Sequence, residues 1–262
     1  MKMYFAGAEN GQFYPLLLKN GVKSLLASAY YLDYDVIPEP LQHCDLLMDS
    51  GGFTARMHGK TIDVAKYADF LNRNKIKLAF NLDTNDVDET LKNQDYLEQN
   101  TQTKILPVYH FSDYQDPNHR DLIYEYIKKH DFIALGGVAG LRLPPEKQFV
   151  FLDFVFALTK DKIKIHGLGQ AAMKLHRRYP YYSADSTSWL AGGKFRSLTK
   201  LEGFGTKVMN KSILKGDKRS EIGYNLIHQR YEDLNIYNIK EMLKIEDFVT
   251  RLWASRGVKW EN

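Results

Sequence analysis

Three aspartates in this chain end short apolar runs, where a side chain can do more than fill a core. Asp49 closes "DLLMD" and opens "SGGF", Asp83 ends "KLAFNLD", and Asp185 ends "YYSAD" before "STSW". His110 ends "KILPVYH", His166 stands in "KIKIHGLG", and Gly136-Gly137 follows "FIAL". Two carboxylates in one pocket suit acid/base work or covalent catalysis at a sugar carbon. Burial raises the pKa of one, and the charge of the other drives the two values apart. Asp49 and Asp185 carry the functional reading best. Small residues follow each, Ser50 and Gly51 after Asp49, and these clear space and offer N–H groups or hydroxyls. Asp83 could equally cap the next helix. The histidines could be hydrogen-bonded structural residues, and the glycine pair a simple turn. His110, His166 and Asp49 could together bind a metal, but no close-spaced ligand motif such as HExxH accompanies them. No metal and no cofactor is expected.

These residues meet only if the chain folds them to one place. Eight short runs rich in β-branched and aromatic residues recur, at Lys2–Gly7, Ser24–Tyr31, Asp45–Phe53, Lys77–Thr84, Lys104–Phe111, Phe132–Val138, Lys162–Gly169 and Tyr181–Trp189. Several are apolar on both faces, as strands of a doubly covered parallel sheet must be. Helix-like stretches separate them. Thr61 can cap "IDVAKYADFLNRN", Asn85 or Asp86 can open "VDETLKNQDYLEQN", "RDLIYEYIKKH" alternates faces at helical period, and Pro144-Pro145 precede "EKQFVFLDFVFALTK". Strand then helix, eight times, predicts an α/β fold, a (β/α)8 TIM barrel. An open doubly wound sheet needs fewer strands and a glycine-rich first loop, which "AGAENG" matches poorly. In the barrel, Asp49, Asp83, His110, Gly136, Gly137, His166 and Asp185 converge on the mouth at the strands' C-terminal ends. Residues 1–200 are read as the barrel core and 201–262 as a basic, helical C-terminal extension packed on it.

Composition sets the outer bounds. Apolar residues make up 44% of 262 positions, enough for a sizeable core. The net charge of +4 is too small to imply a nucleic-acid partner by itself. A single cysteine, Cys44, can build neither a disulfide framework nor a cysteine-rich zinc site. The opening "MKMYFAGAENG" turns polar too soon for a signal peptide, and no apolar run reaches the length of a membrane span. A soluble cytoplasmic protein is expected.

In this order, "MDSGGF", "NLD", "LGGV", "HGLG" and the last strand-end aspartate resemble the tRNA-guanine transglycosylases. The chain is more similar to their short relatives, the DNA-guanine transglycosylases of phages and bacterial genomic islands, above all in "YSADSTSW". The resemblance spans roughly Met1–Gly193, with "DSGGF" and "DSTSW" its most specific parts. It implies a (β/α)8 barrel that exchanges guanine for a 7-deazaguanine, such as 7-cyano-7-deazaguanine, through a covalent aspartyl-glycosyl intermediate. By position Asp185 is the nucleophile and Asp49 the acid/base residue that contacts the base. Asp83 reads the guanine N1–H and 2-amino edge, a fitting task for an acceptor-only carboxylate. Gly136 and Gly137 contact the purine, and Phe53 and His166 sandwich it. The chain departs from the tRNA enzymes in three ways. It lacks their cysteine-rich zinc region, Thr54 follows the aromatic residue where they have glutamine, and His110 replaces a glutamine that reads the purine carbonyl. DNA is therefore the implied partner and tRNA the alternative, with a non-catalytic partner subunit as a further reading. A homodimer is common in the family, but the tRNA enzymes build theirs partly with the zinc region.

Basic residues gather after the proposed site: His176, Arg177 and Arg178; Lys194, Arg196 and Lys200; then Lys207, Lys211, Lys215, Lys218 and Arg219. Tyr179, Tyr181, Tyr182 and Trp189 are interleaved. Arg177, Arg178, Lys194, Arg196 and Trp189 are the candidate nucleic-acid contacts, through phosphate pairing and base stacking. A solvated surface is the plainer reading of any one lysine. A base within a duplex cannot reach a buried nucleophile, so the target guanine must be flipped out or single-stranded.

Overall fold

A computed structural model describes residues 1–139, 144–159, 162–210 and 230–260. Nine parallel strands form one sheet: β1 (Lys2–Ala6), β2 (Ser24–Ser28), β3 (Asp45–Asp49), β4 (Leu78–Phe80), β5 (Lys104–Leu106), β6 (Val108–His110), β7 (Phe132–Gly136), β8 (Lys164–Gly167) and β9 (Ser183–Ser186). Their spatial order is β5-β4-β3-β2-β1-β9-β8-β7-β6. The two ends of this order are halves of one chain segment. Pro107 separates them because it has no N–H for the ladder, while its carbonyl accepts from Ala134 N–H at 2.9 Å. The sheet therefore meets itself, and the eight predicted runs make a (β/α)8 barrel.

The helices are α1 (Phe13–Lys19), α2 (Glu39–Gln42), α3 (Gly52–Met57), α4 (Val64–Arg73), α5 (Val87–Asn100), α6 (Phe111–Gln115), α7 (Leu122–Lys129), α8 (Pro145–Thr159), α9 (Met173–Arg178), α10 (Ala191–Phe195) and α11 (Tyr231–Ser255). Asp86 caps α5 by accepting Glu89 N–H at 3.0 Å. The cap of α4 is Asp63, which accepts Ala65 N–H at 2.9 Å, and not Thr61. The first turn begins two residues later than the sequence pattern implied, where an acceptor reaches an unpaired N–H.

Strand alternation sorts the core into two layers. Met3, Phe5, Leu25, Ala27, Met48, Ala79, Ile105, Ile133, Ile165 and Ala184 point outward under the helices. Tyr4, Ala6, Leu26, Leu47, Phe80, Leu106, Val108, Phe132 and Ala134 fill the lumen. Truncating a fully buried member such as Leu47 to alanine costs about 2–5 kcal/mol. On the same inward face, Asp45 and Asp49 stand four residues apart, at opposite ends of β3.

The basic stretch after the barrel contains an antiparallel hairpin, β10 (Ser197–Glu202) and β11 (Gly205–Asn210), which periodicity did not reveal. Residue 200, the expected end of the barrel core, falls inside β10. Long helix α11 covers the hairpin's edge with side chains. Asn238 Oδ1 accepts Thr199 N–H at 2.9 Å, and Glu241 Oε2 accepts Leu201 N–H at 2.8 Å. An otherwise unpaired strand edge is thereby satisfied. At Gly192 an added Cβ would lie 2.6 Å from the Leu234 backbone, so only glycine permits this approach. The basic residues Lys211, Lys215, Lys218 and Arg219 of the expected extension lie outside the described residues. None of the helices among the described residues is long and apolar enough to cross a membrane.

Candidate active site

Asp49 ends β3 at the barrel mouth, and the turn after it is built from residues without room for side chains. Gly51 has φ +79°, and a Cβ there would meet Tyr30 Cβ at 2.3 Å. This turn starts α3 beside the mouth. Burial first, then the charges of Asp83 and Asp185, push the Asp49 carboxyl up to about 7, while the Gly51 N–H opposes the shift. A proton on Asp49 is thus exchangeable near neutrality. The charges of Asp83 and Asp185 thus both reach Asp49 across the mouth.

Asp83 follows β4 and is held from two sides. His110 Nε2 bonds its Oδ2 at 3.0 Å, and Arg56 Nη2 lies 3.9 Å from the same oxygen. Arg56 also donates to the Asp83 carbonyl. Among the described residues these side-chain contacts all go to Oδ2, which leaves Oδ1 as an acceptor. Burial disfavours a charged His110, but the bond to Asp83 and the charges of Asp83 and Asp113 outweigh it and raise the imidazole pKa. His110 is therefore committed to Asp83 and presents no free Nε2–H to a purine carbonyl. Its ring lies on Gly136, where a Cβ would sit 2.4 Å from Nδ1. Gly137 follows with φ +74°. These glycines are required by the histidine's packing and by the turn.

Asp185 lies at the register position of Tyr4 on β1 and is 9% exposed. Its Oδ1 accepts Gly169 N–H at 2.8 Å and is 3.1 Å from His166 Nε2. His166 itself is fully buried, with Tyr4 and Phe80 rings 5.9 and 5.1 Å away.

That burial corrects the expected sandwich: His166 has no surface to offer a base. Phe53, 69% exposed on α3, remains at the rim. Ser50 is also corrected. It is buried, its hydroxyl accepts Gly52 N–H at 3.3 Å, and its carbonyl accepts the Tyr34 hydroxyl at 2.8 Å, so it shapes the turn. Trp189 is fully buried, donates to the Ala6 carbonyl at 3.0 Å and meets Phe13 edge-on, so it belongs to the core and not to a nucleic-acid face.

Arg177 and Arg178 are displaced more fundamentally. They end α9, which returns toward the base of the barrel. The Arg177 carbonyl accepts from Arg256, and the His176 carbonyl accepts from Trp253 at 2.7 Å. Trp253 lines a base cavity with Met1, Lys2 and Tyr182. Arg178 pairs there with Asp153 at 2.8 Å. Proximity in sequence to a strand end is not proximity to the mouth when a helix intervenes. Lys194 and Arg196, in contrast, leave the mouth end of β9 directly through α10. Lys194 is exposed, and the Arg196 guanidinium lies 4.8 Å over the Tyr231 ring.

Two residues at the mouth escaped the sequence reading. Arg56 gave no signal, being one charge on a six-residue helix. Glu9, whose Oε2 accepts Ser28 N–H at 3.3 Å, is a fourth carboxylate at this end, raised by burial. Among the described residues no group of three or more His, Cys, Asp or Glu side chains has a geometry that could hold a metal ion. No family model matches the chain, and no curated protein matches it.

Proposed function

We propose that the chain is a guanine transglycosylase that exchanges guanine in DNA for a 7-deazaguanine base. Asp185 attacks C1′ of the target nucleoside, the glycosidic C–N bond breaks, and its electron pair leaves with guanine. Asp49 gives the departing base a proton. An incoming 7-deazaguanine returns a proton to Asp49, attacks C1′ and displaces Asp185. Asp83 Oδ1 accepts from the guanine edge, and Phe53 stacks on the base from the rim. Lys194 and Arg196 contact phosphates of a strand whose target base is unstacked.

The observation that carries this reading is the division of labour among three carboxylates on one mouth. One is tethered by N–H donors, one sits near pKa 7, and one is clamped by His110 and Arg56. A nucleophile must stay ionised, whereas a residue that gives and then takes a proton works best when its pKa lies near the ambient pH.

The test is release of radiolabelled guanine from DNA and, in parallel, from tRNA, with and without 7-cyano-7-deazaguanine. Release from DNA is expected. Release only from tRNA keeps the mechanism and changes the substrate. Release from neither, with no covalent adduct on either, defeats the enzyme reading and leaves a binding subunit.

A further inference from the structure

His166 and Ser183 stand out because both are completely buried yet point inward beside Asp185, above an apolar layer of the lumen that separates them from the Asp45 cluster at the base. Ser183 precedes Asp185 by two residues, so strand alternation puts both on the inner face of β9. The β8–β9 register sets His166 opposite Ser183. His166 Nδ1 lies 2.8 Å from Ser183 Oγ, and Nε2 lies 3.1 Å from Asp185 Oδ1. We propose that Ser183 and His166 are positioning residues that fix which oxygen of Asp185 reacts, an inference that rests on the reading of Asp185 as nucleophile.

An ionised carboxylate only accepts, so His166 Nε2 carries the hydrogen in this bond. A neutral ring then has a lone pair on Nδ1, and the Ser183 hydroxyl is the donor that meets it. Every polar atom of the pair is satisfied in that arrangement, as burial demands. Gly169 N–H supplies a second bond to the same Oδ1. Among the described residues no hydrogen bond goes to Oδ2. The carboxylate is thus pinned by one oxygen, and the other is left with its lone pairs free for C1′. Both donors lie on the loop and strand of one βα unit, so the tether is rigid relative to the mouth. No proton leaves His166 in the reaction; its task is orientation and tautomer.

The test has two arms on the full chain. Nitrogen-15 spectra of the histidine side chains, with the His166 signal identified by its loss in His166→Leu, should show a neutral ring with hydrogen on Nε2. Ser183→Ala should perturb that signal. A charged ring, or hydrogen on Nδ1, overturns the assignment whatever the enzyme does. In single-turnover formation of the covalent adduct with guanine-containing single-stranded DNA, His166→Leu should slow the step about 100-fold, the typical penalty of a nucleophile displaced by about 1 Å. The Kd for the oligonucleotide should not change. His166→Gln, whose amide can restore a donor near Nε2, should recover most of the rate, a rescue that a space-filling role would not give. Adduct formation by His166→Leu at the wild-type rate overturns the proposal. If the wild type forms no adduct with DNA or RNA, the nucleophile reading fails by itself, and the nitrogen spectra still decide the tether.

Discussion

Asp45 and Asp49 occupy the same inward face of the same strand, four residues apart, yet live in opposite environments. At the base, Asp45 receives Lys2 Nζ at 3.0 Å, the Tyr4 hydroxyl at 3.1 Å and the Ser24 hydroxyl at 3.1 Å. Three donors, one of them cationic, make it a lock between β1, β2 and β3. At the mouth, Asp49 faces Asp83 and Asp185, and its pKa is pushed up to about 7. The barrel satisfies one end of its lumen and leaves the other short of cations. A carboxylate with matched donors holds structure, and one kept among its own kind stays ready to move a proton.

The sharpest way to break this contrast is to compare substitutions at the two ends. Asp185→Asn at the mouth should keep the fold and nucleic-acid binding, because its amide oxygen can still accept from Gly169 and His166. Exchange and covalent adduct should fall by about 10⁴-fold or more, as when an enzyme loses its nucleophile. Asp45→Asn at the base should do the reverse. It should cost about 1–3 kcal/mol of stability, read as a lowered urea midpoint, and leave the adduct rate intact. If Asp45→Asn also stops the chemistry in folded protein, the two ends are not separable.

Asp49 offers a prediction of intermediate size, in stability as well as rate. Its ordinary value is 3.8 and its folded value about 7. Below pH 4 folded and unfolded chains both hold this proton, and no cost arises. From there to pH 7 the unfolded chain releases it and the folded one does not, so a destabilisation grows and then levels off. Asp49→Asn should therefore gain stability of roughly 2–4 kcal/mol above pH 7, a gain that fades toward pH 4, while losing exchange activity. Equal stability of variant and wild type at pH 8 would show that the mouth does not hold Asp49 under strain.

The barrel was legible because its signals are local and repeated. Eight short apolar runs, several of them apolar on both faces, leave few other architectures, and inward alternation sends 45 and 49, or 183 and 185, to one face without further information. The aspartates were legible because strand ends of a barrel are forced together. What the sequence could not display was depth. His166 and Phe53 both follow from motif position, but one is sealed in the lumen and the other stands in solvent, and packing of Tyr4 and Phe80 makes that difference. Trp189 looked like a stacking residue until its indole N–H proved to be needed by the Ala6 carbonyl. Arg177 and Arg178 were assigned by closeness in sequence, which a returning helix reverses. The hairpin was missed because its alternation is weak and its edge is satisfied by Asn238 and Glu241 from a helix some 40 residues on.

The smallest effect concerns the base, where one group breaks the pattern of satisfied charges. His176 is fully buried, and neither ring nitrogen makes a side-chain hydrogen bond. Burial lowers its pKa from 6.5 to about 4, and the nearby Gln170 backbone opposes this without offsetting it. Above pH 6.5 the ring is neutral in both states and adds no pH dependence. As the pH falls toward 4 the unfolded chain takes up a proton that the folded chain refuses, so stability drops. Over the same window Asp49 is being relieved of its strain, and the two trends run against each other. Between these two groups the pH dependence largely cancels, where each alone would tilt the stability curve. His176→Leu removes one side of this balance. Its urea midpoint, followed from about pH 6.5 to about pH 4.5, should rise on acidification relative to wild type, by up to about 1.4 kcal/mol per pH unit. The offset of the two curves reports how well leucine packs; the slope between them reports the proton. Parallel curves would mean that His176 gains its proton without opening the base, and that the base tolerates a charge as readily as the mouth does.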